Sequence, residues 1–203
     1  MLAVVVGSGI MGERLSGGND ALALLANSLA TGFALVALIL AFGNRSGAHF
    51  NPVVTAALAF RRDVPARDVL PYAAAQFAGA LLGVLAAHAM FDLPLLQAGD
   101  KLRSGMAQWW SEIVATFGLV FVVLSCDRKA APYAVGAYIA AAYWFTASTS
   151  FANPAVTLAR GFTATFSGIR PEDVAGFVLA QAAGAALAVA ADGYFFDGKK
   201  GAQ

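Results

Sequence analysis

The sequence predicts an all-α membrane protein built from two inverted halves. Three observations carry that prediction: too little charge for a water-soluble surface, five apolar stretches of membrane-crossing length, and an Asn-Pro segment that occurs twice at matching places. Hydrophobic residues make up 59% and charged residues 12% of the 203, with a mean hydropathy of +0.68. Ordinary soluble domains have about 45–50% and about 25%. A soluble enzyme and a disordered chain are both excluded on that ground. Basic and acidic residues nearly balance, 13 against 12, which leaves no excess charge to hold nucleic acid. Cys126 stands alone, so an internal disulfide and a cysteine-based metal site drop out. No cofactor and no metal are expected.

A helix that crosses the hydrocarbon core needs about 20 apolar residues. The opening residues 1–12 are apolar but too short, rising about 18 Å as a helix. They are expected to be the back half of a first span truncated at its N-terminus. The same stretch spells Gly7-Ser8-Gly9-Ile10-Met11-Gly12, the glycine spacing that opens a dinucleotide-binding fold. That fold needs an acid about 20 residues on and alternating strands and helices. Residues 21–43 hold no acid, so the glycines are read as helical. Residues 21–43 and 69–91 carry no Asp, Glu, Lys or Arg and predict two spans. Residues 106–126, with Glu112 as their one charge, and the charge-free 131–149 and 174–191 predict three more.

Between these spans lie two related segments. Residues 51–60 (NPVVTAALAF) superpose on 153–162 (NPAVTLARGF) with six identities in ten, Asn, Pro and Thr among them. Residues 75–86 match 180–191 at eight of twelve, including Gln76 with Gln181. The chain therefore reads as a duplication within a single channel domain, 1–203. Repeat 1 covers 1–91 with half-helix 51–60, and repeat 2 covers 106–196 with half-helix 153–162. Three spans per repeat is odd, so the second copy enters the membrane from the opposite side, and paired short segments in such a plan mark the transport site. With the N-terminus inside, Arg45, Arg61, Arg62, Arg67, Arg128, Lys129, Lys199 and Lys200 fall on the cytoplasmic side and the other five basic residues outside, a modest positive-inside bias.

Asn is a favoured N-cap and Pro a favoured first helical residue. Asn51-Pro52-Val53 and Asn153-Pro154-Ala155 therefore start helices of about 15 Å, half the bilayer core. Irregular backbone at that depth survives only when protein buries it or when it lines water. Two re-entrant segments meeting at the midplane thus imply a pore with both positive dipole ends at its centre. Two Asn amides there offer donors to neutral oxygens, while the converging positive charge opposes cations.

With the boxes SGAHFNPVVT and FANPAVT inside a six-span duplication, the chain resembles the aquaporin or major intrinsic protein family over essentially its whole length. The resemblance implies a passive channel for water and small uncharged solutes, a homotetramer with one pore per subunit, and a multi-pass place in the bilayer. The short loops suit a bacterial inner membrane. It also implies four constriction positions, which spacing from the boxes puts at Thr31, Tyr143, Ser150 and Val156. Glu112 matches the family's acid at the start of the fourth span and is expected to accept hydrogen bonds from re-entrant loop backbone. His49 is expected in the cytoplasmic vestibule.

Two departures matter. The first box reads Asn51-Pro52-Val53 where the family has NPA, and Val156 stands where the family has an Arg after the second box. A neutral, wider, more apolar filter is the expectation, as in a divergent aquaglyceroporin-like branch that passes glycerol-like polyols and neutral metalloid acids such as arsenous acid. Arg160, one helical turn beyond Val156, is expected in an ion pair or against headgroups, with a reach back to the pore mouth as the alternative. Small residues, Gly79 with Gly83 and Ala180, Gly184 and Ala188, predict closely packed helix faces. The competing readings are an inverted-repeat secondary transporter, for which the spans hold no acid besides Glu112, and a non-conducting truncated channel.

Overall fold

The computed structural model describes residues 1–196, so Lys199 and Lys200 of the charge-bias argument lie outside the described residues. It is entirely helical among those residues. α1 (Leu2–Leu15), α2 (Asp20–Ser46), the short α3 (Pro52–Phe60) and α4 (Val69–Met90) are followed by α5 (Met106–Ser125), α6 (Ala131–Phe145), the short α7 (Pro154–Arg160) and α8 (Pro171–Phe196). The order of long, long, short and long helices thus occurs twice. A 3-10 turn, Ala66–Asp68, leads into α4.

Capping sets the ends of α2, which runs three residues past the charge-free stretch 21–43 at its C-terminal end. Asn19 caps α2 by accepting from the Leu22 N–H, and Gly47 ends it at φ 72°, a left-handed residue that stops a helix cheaply. Four helices reach span length and hydropathy: α2, the 66–90 stretch, α5 and α8. The expected span at 131–149 is shorter than read, because α6 stops at Phe145 with 15 residues. Thr149, Ser150 and Ala152 take φ of 59°, 50° and 47°, so the chain leaves helical geometry before it reaches the second box. The second half-helix also ends early, at Arg160 rather than 162. There the Gly161 and Phe162 carbonyls accept from Gly99 and Gln97 N–H of the loop after α4, which draws the backbone out of the helix.

Two apolar clusters hold the bundle. One joins α1, α4, α7 and the start of α8 around Val6, Val84, Ala159 and Phe177. The other joins α2, α3, α5, α6 and the end of α8 around Leu35, Val54, Val120 and Ala188. The Gly7–Gly12 motif lies within α1, where Gly12 lets the α2 backbone at Ala23 approach: an added Cβ would sit 2.9 Å from the Ala23 carbonyl oxygen. Asn27 secures the same crossing by donating to the Val5 carbonyl at 2.7 Å. At one end of the bundle His88 is fully buried with Nδ1 2.8 Å from the Leu95 carbonyl oxygen and Nε2 2.8 Å from Thr163 Oγ1, joining the loops after α4 and α7. At the opposite end Arg61 pairs with the buried Asp192 and ties the end of α3 to α8.

The small-residue faces split. Gly184 lies against α5 so closely that a Cβ would overlap the Ile113 carbonyl oxygen, and Gly83 packs on Leu2 of α1. Gly79 meets nothing within 4 Å. A matched pair of substitutions tests this packing. Gly184→Ala is expected to cost about 1–3 kcal/mol through overpacking, whereas Gly79→Ala should be neutral or stabilise by about 0.5–1 kcal/mol through helix propensity. Thermal unfolding of the detergent-solubilised chain measures both, and equal melting temperatures would remove the α5–α8 argument.

Candidate functional site: two half-helices facing one cavity

Each box begins as a capped helix. Asn51 Oδ1 accepts from the Val53 N–H at 3.1 Å, and Asn153 Oδ1 accepts from the Ala155 and Val156 N–H at 3.0 and 3.3 Å. Pro52 and Pro154 occupy the first helical position, where the missing N–H costs nothing. The amide nitrogens cross between the halves: Asn51 Nδ2 donates to the Ala152 carbonyl at 2.7 Å, and Asn153 Nδ2 donates to the Phe50 carbonyl at 2.8 Å. This reciprocal exchange pins both N-termini at one place. α3 rises about 14 Å and α7 about 10 Å away from it, together most of a hydrocarbon core of about 30 Å.

Behind each box stands the same relay. Thr55 Oγ1 donates to the Asn51 carbonyl and accepts from Gln76 Nε2 of α4 at 3.0 Å. Thr157 Oγ1 donates to the Asn153 carbonyl and accepts from Gln181 Nε2 of α8 at 2.7 Å. Gln76 and Gln181 drew attention in the sequence only as marks of duplication; their pairing with a Thr at the fifth residue of each box was the signal for this role. The second loop has a further support. Glu112, fully buried on α5, accepts from Ser148 Oγ, the Phe151 N–H, the Ala152 N–H and Gln181 Nε2 at 2.6–2.9 Å. Four donors on one carboxylate hold a loop whose left-handed residues cost about 1–3 kcal/mol each.

The two amides open on one cavity of about 1060 Å³. Its wall includes Thr31 of α2, Tyr143 of α6, Ser150 of the second loop and Val156 of α7, together with His49, Asn51 and Asn153. Thr31 Oγ1 and the Tyr143 hydroxyl are 3.3 Å apart, and Ser150 Oγ is buried with no protein partner. Each Asn amide spends one N–H on the opposite loop and keeps one for the cavity. Glu112 is off the cavity wall, and so are Pro52, Val53, Pro154 and Ala155. Val53 faces the apolar cluster of α2, α5 and α6, and its neighbour Val54 takes the cavity position.

One mouth is ringed by Arg45, Arg128 and Lys129, with Cys126 close by. There His49 lies 3.2 Å from Thr55 Oγ1 and tilts against Tyr72, ring centres 5.4 Å apart. Toward the other end of the wall stands Arg160, which corrects an expectation: it forms no ion pair among the described residues and is only 2% exposed, away from headgroups. Its guanidinium lies over Phe151, and Nε donates to the Ser167 carbonyl. The loop residue Arg103, which no sequence pattern singled out, approaches the same ring and donates to the Gly168 and Ser148 carbonyls.

Known proteins fit this arrangement. The family model described as Major intrinsic protein matches residues 1–135. The chain is 56% identical over 193 residues to "Aquaglyceroporin AqpS" of Rhizobium meliloti (strain 1021), covering 94% of this chain and 82% of that protein. It is 35% identical over 150 residues to "Aquaporin NIP2-1" of Zea mays and 37% identical over 109 residues to "Glycerol uptake facilitator protein-like 6" of Lactiplantibacillus plantarum. Those matches cover 68% and 50% of this chain and half the length of each of these two relatives.

Replacing Glu112 by Gln tests the loop support. The amide turns one acceptor into a donor and leaves at least one buried N–H unpaired, a loss of about 1–3 kcal/mol for each. The melting temperature of Glu112→Gln is expected to fall accordingly; an unchanged melt would mean that the loop holds itself.

Proposed function

Because the chain belongs to the major intrinsic protein family of multi-pass membrane channels, we propose that it conducts water and small uncharged solutes passively along the cavity between its two half-helices. The observation that carries this reading is the reciprocal Asn51–Ala152 and Asn153–Phe50 exchange, which leaves one amide N–H of each Asn free beside the cavity. A solute oxygen that accepts from both amides is held at the point where two helix N-termini face each other, a site unfavourable to cations.

Thr31, Tyr143, Ser150 and Val156 form the selectivity filter in this reading. Val156 contributes an apolar wall, Tyr143 and Thr31 contribute hydroxyls, and the unpartnered Ser150 Oγ accepts from or donates to the solute. That mixture suits molecules with a carbon or metalloid centre and several hydroxyls: glycerol-like polyols and neutral acids such as arsenous acid. The name of the 56% identical bacterial relative, an aquaglyceroporin, supports the same choice. The functional unit is a homotetramer in a bacterial inner membrane, with Arg45, Arg128 and Lys129 at the cytoplasmic mouth and His49 in its vestibule. A proton-coupled transporter is disfavoured because both Glu112 oxygens are already occupied by loop and Gln181 donors.

Stopped-flow light scattering on vesicles that contain the full chain tests the proposal. Glycerol and arsenous acid should enter faster than in empty vesicles, and Asn153→Ala, which removes the solute donor together with the α7 cap and the tie to Phe50, should lower that flux by at least about tenfold. Val156→Arg should reduce flux of the larger solutes while water continues to pass. Flux equal to that of empty vesicles for every solute would sink the channel reading.

A further inference from the structure

A buried cation that forms no ion pair among the described residues stands beside the cavity, away from its basic mouth. Arg160 ends α7 four residues, one helical turn, after Val156, and both are on the cavity wall. Its guanidinium carbon lies 3.4 Å from the centre of the Phe151 ring, and its Nε is bound to the Ser167 carbonyl. Ring and carbonyl together fix the plane of the group. The two terminal nitrogens have no hydrogen-bond partner among the described residues, and neither is sealed from solvent. Arg160 is 2% exposed and lines the cavity, so the small part of its guanidinium edge that is not covered opens there.

No acid pairs directly with Arg160 among the described residues. The three ion pairs of the described residues, Arg61–Asp192, Arg67–Asp68 and Arg170–Asp173, all lie elsewhere. Across Phe151 the neighbouring charge is a second cation, Arg103, 4.9 Å from the ring centre. Glu112, held by its four loop and Gln181 donors, acts on both arginines and offsets one of the two positive charges, which leaves the pair with a net positive charge. A charge buried in this way is tolerated where water or a passing solute solvates it. The terminal edge of Arg160 is therefore wetted from the cavity, and the potential there is positive.

We propose that Arg160 is a specificity-determining residue of this pore: its guanidinium edge donates to the oxygens of neutral polyhydroxyl solutes and its charge excludes cations, both from a position one turn beyond the uncharged Val156. The inference rests on the channel reading above and replaces the neutral filter expected from Val156 alone. Its rival is a structural tie, in which Arg160 does no more than hold the 161–170 loop through Ser167.

The test uses the full chain in vesicles, with water and glycerol permeability read by light scattering and proton and potassium leak read with an entrapped pH dye under an imposed potential. Wild type should pass glycerol with no cation leak above empty vesicles. Arg160→Leu should raise the leak by about tenfold or more, as loss of a nearby charge in a poorly screened site implies, and should shift the glycerol-to-water ratio. Arg160→Lys keeps the charge without the planar donors, so it should exclude cations yet pass glycerol more slowly. Adding Val156→Arg to Arg160→Leu should restore exclusion, a rescue that a loop tie does not predict. If Arg160→Leu does not fold, Arg160→Gln removes the charge while keeping a donor for Ser167 and gives the same reading. Wild type that conducts while both neutral variants keep its cation exclusion and glycerol-to-water ratio overturns this inference alone. Wild type without any solute flux overturns the channel reading and this one with it.

Discussion

Two side-chain amides, each donating to a backbone carbonyl about a hundred residues away, set the position of nearly everything else in this molecule. A membrane interior offers no water to irregular backbone, so every loop carbonyl and helix N–H at that depth needs a protein partner or a wet cavity. Each Asn meets several of those needs at once. Its oxygen takes the orphan N–H groups of its own half-helix and its nitrogen takes a carbonyl of the opposite loop. The residues just before each Asn then turn left-handed, Ala48 and Phe50 in one loop and Ser150 and Ala152 in the other, because only that path brings the carbonyls round to face the partner amide. The half-helix directions and the centre of the cavity follow from this junction.

The two sides of the junction are supported unequally. Behind the second loop stand Glu112, Gln181 and Ser148, and its residues 150–153 are all buried. The first loop rests on Thr55, Gln76 and the half-buried His49, and no carboxylate bonds to it among the described residues. Fixed donors are most useful for discriminating solutes where they cannot move. The better-supported loop is also the one beside Ser150, Val156 and Arg160, whereas the mouth with Arg45, Arg128 and Lys129 draws its basic side chains from both repeats.

Much of this was legible in residue order. Charge-free runs announce helices in a bilayer, and Asn followed by Pro announces a helix start wherever it falls, so α2, α4, α5, α8 and both short helices could be read directly. What escaped was decided by partners distant in sequence. Nothing local says that α6 must stop at Phe145; the four donors gathered by Glu112 and three left-handed residues decide it. Likewise α7 ends where the loop after α4 pairs with Gly161 and Phe162. Val53 and Val54 are indistinguishable by composition, and helix phase alone sends the second to the cavity. For Arg160 the sequence suggests an ion pair or a headgroup contact, with a reach back to the pore mouth as the alternative, because an arginine seldom lies buried without an acid. Phe151 and the Ser167 carbonyl make that placement possible, and both reach it through loops with no recognisable pattern.

The amide junction also constrains the order in which the chain can be built. Phe50 and Asn51 leave the ribosome about a hundred residues before their partners, Asn153 and Ala152, are made. At about 5–20 residues per second that gap lasts roughly 5–20 seconds. Through this interval the Phe50 carbonyl and the Asn51 amide have only water to bond, so the first loop must stay at a hydrated depth, beside the translocation machinery or at the membrane surface. Its final descent to the midplane is a late, long-range event coupled to arrival of the second half. Insertion of any one helix therefore leaves the junction unfinished, and only the docking of the two loops completes it.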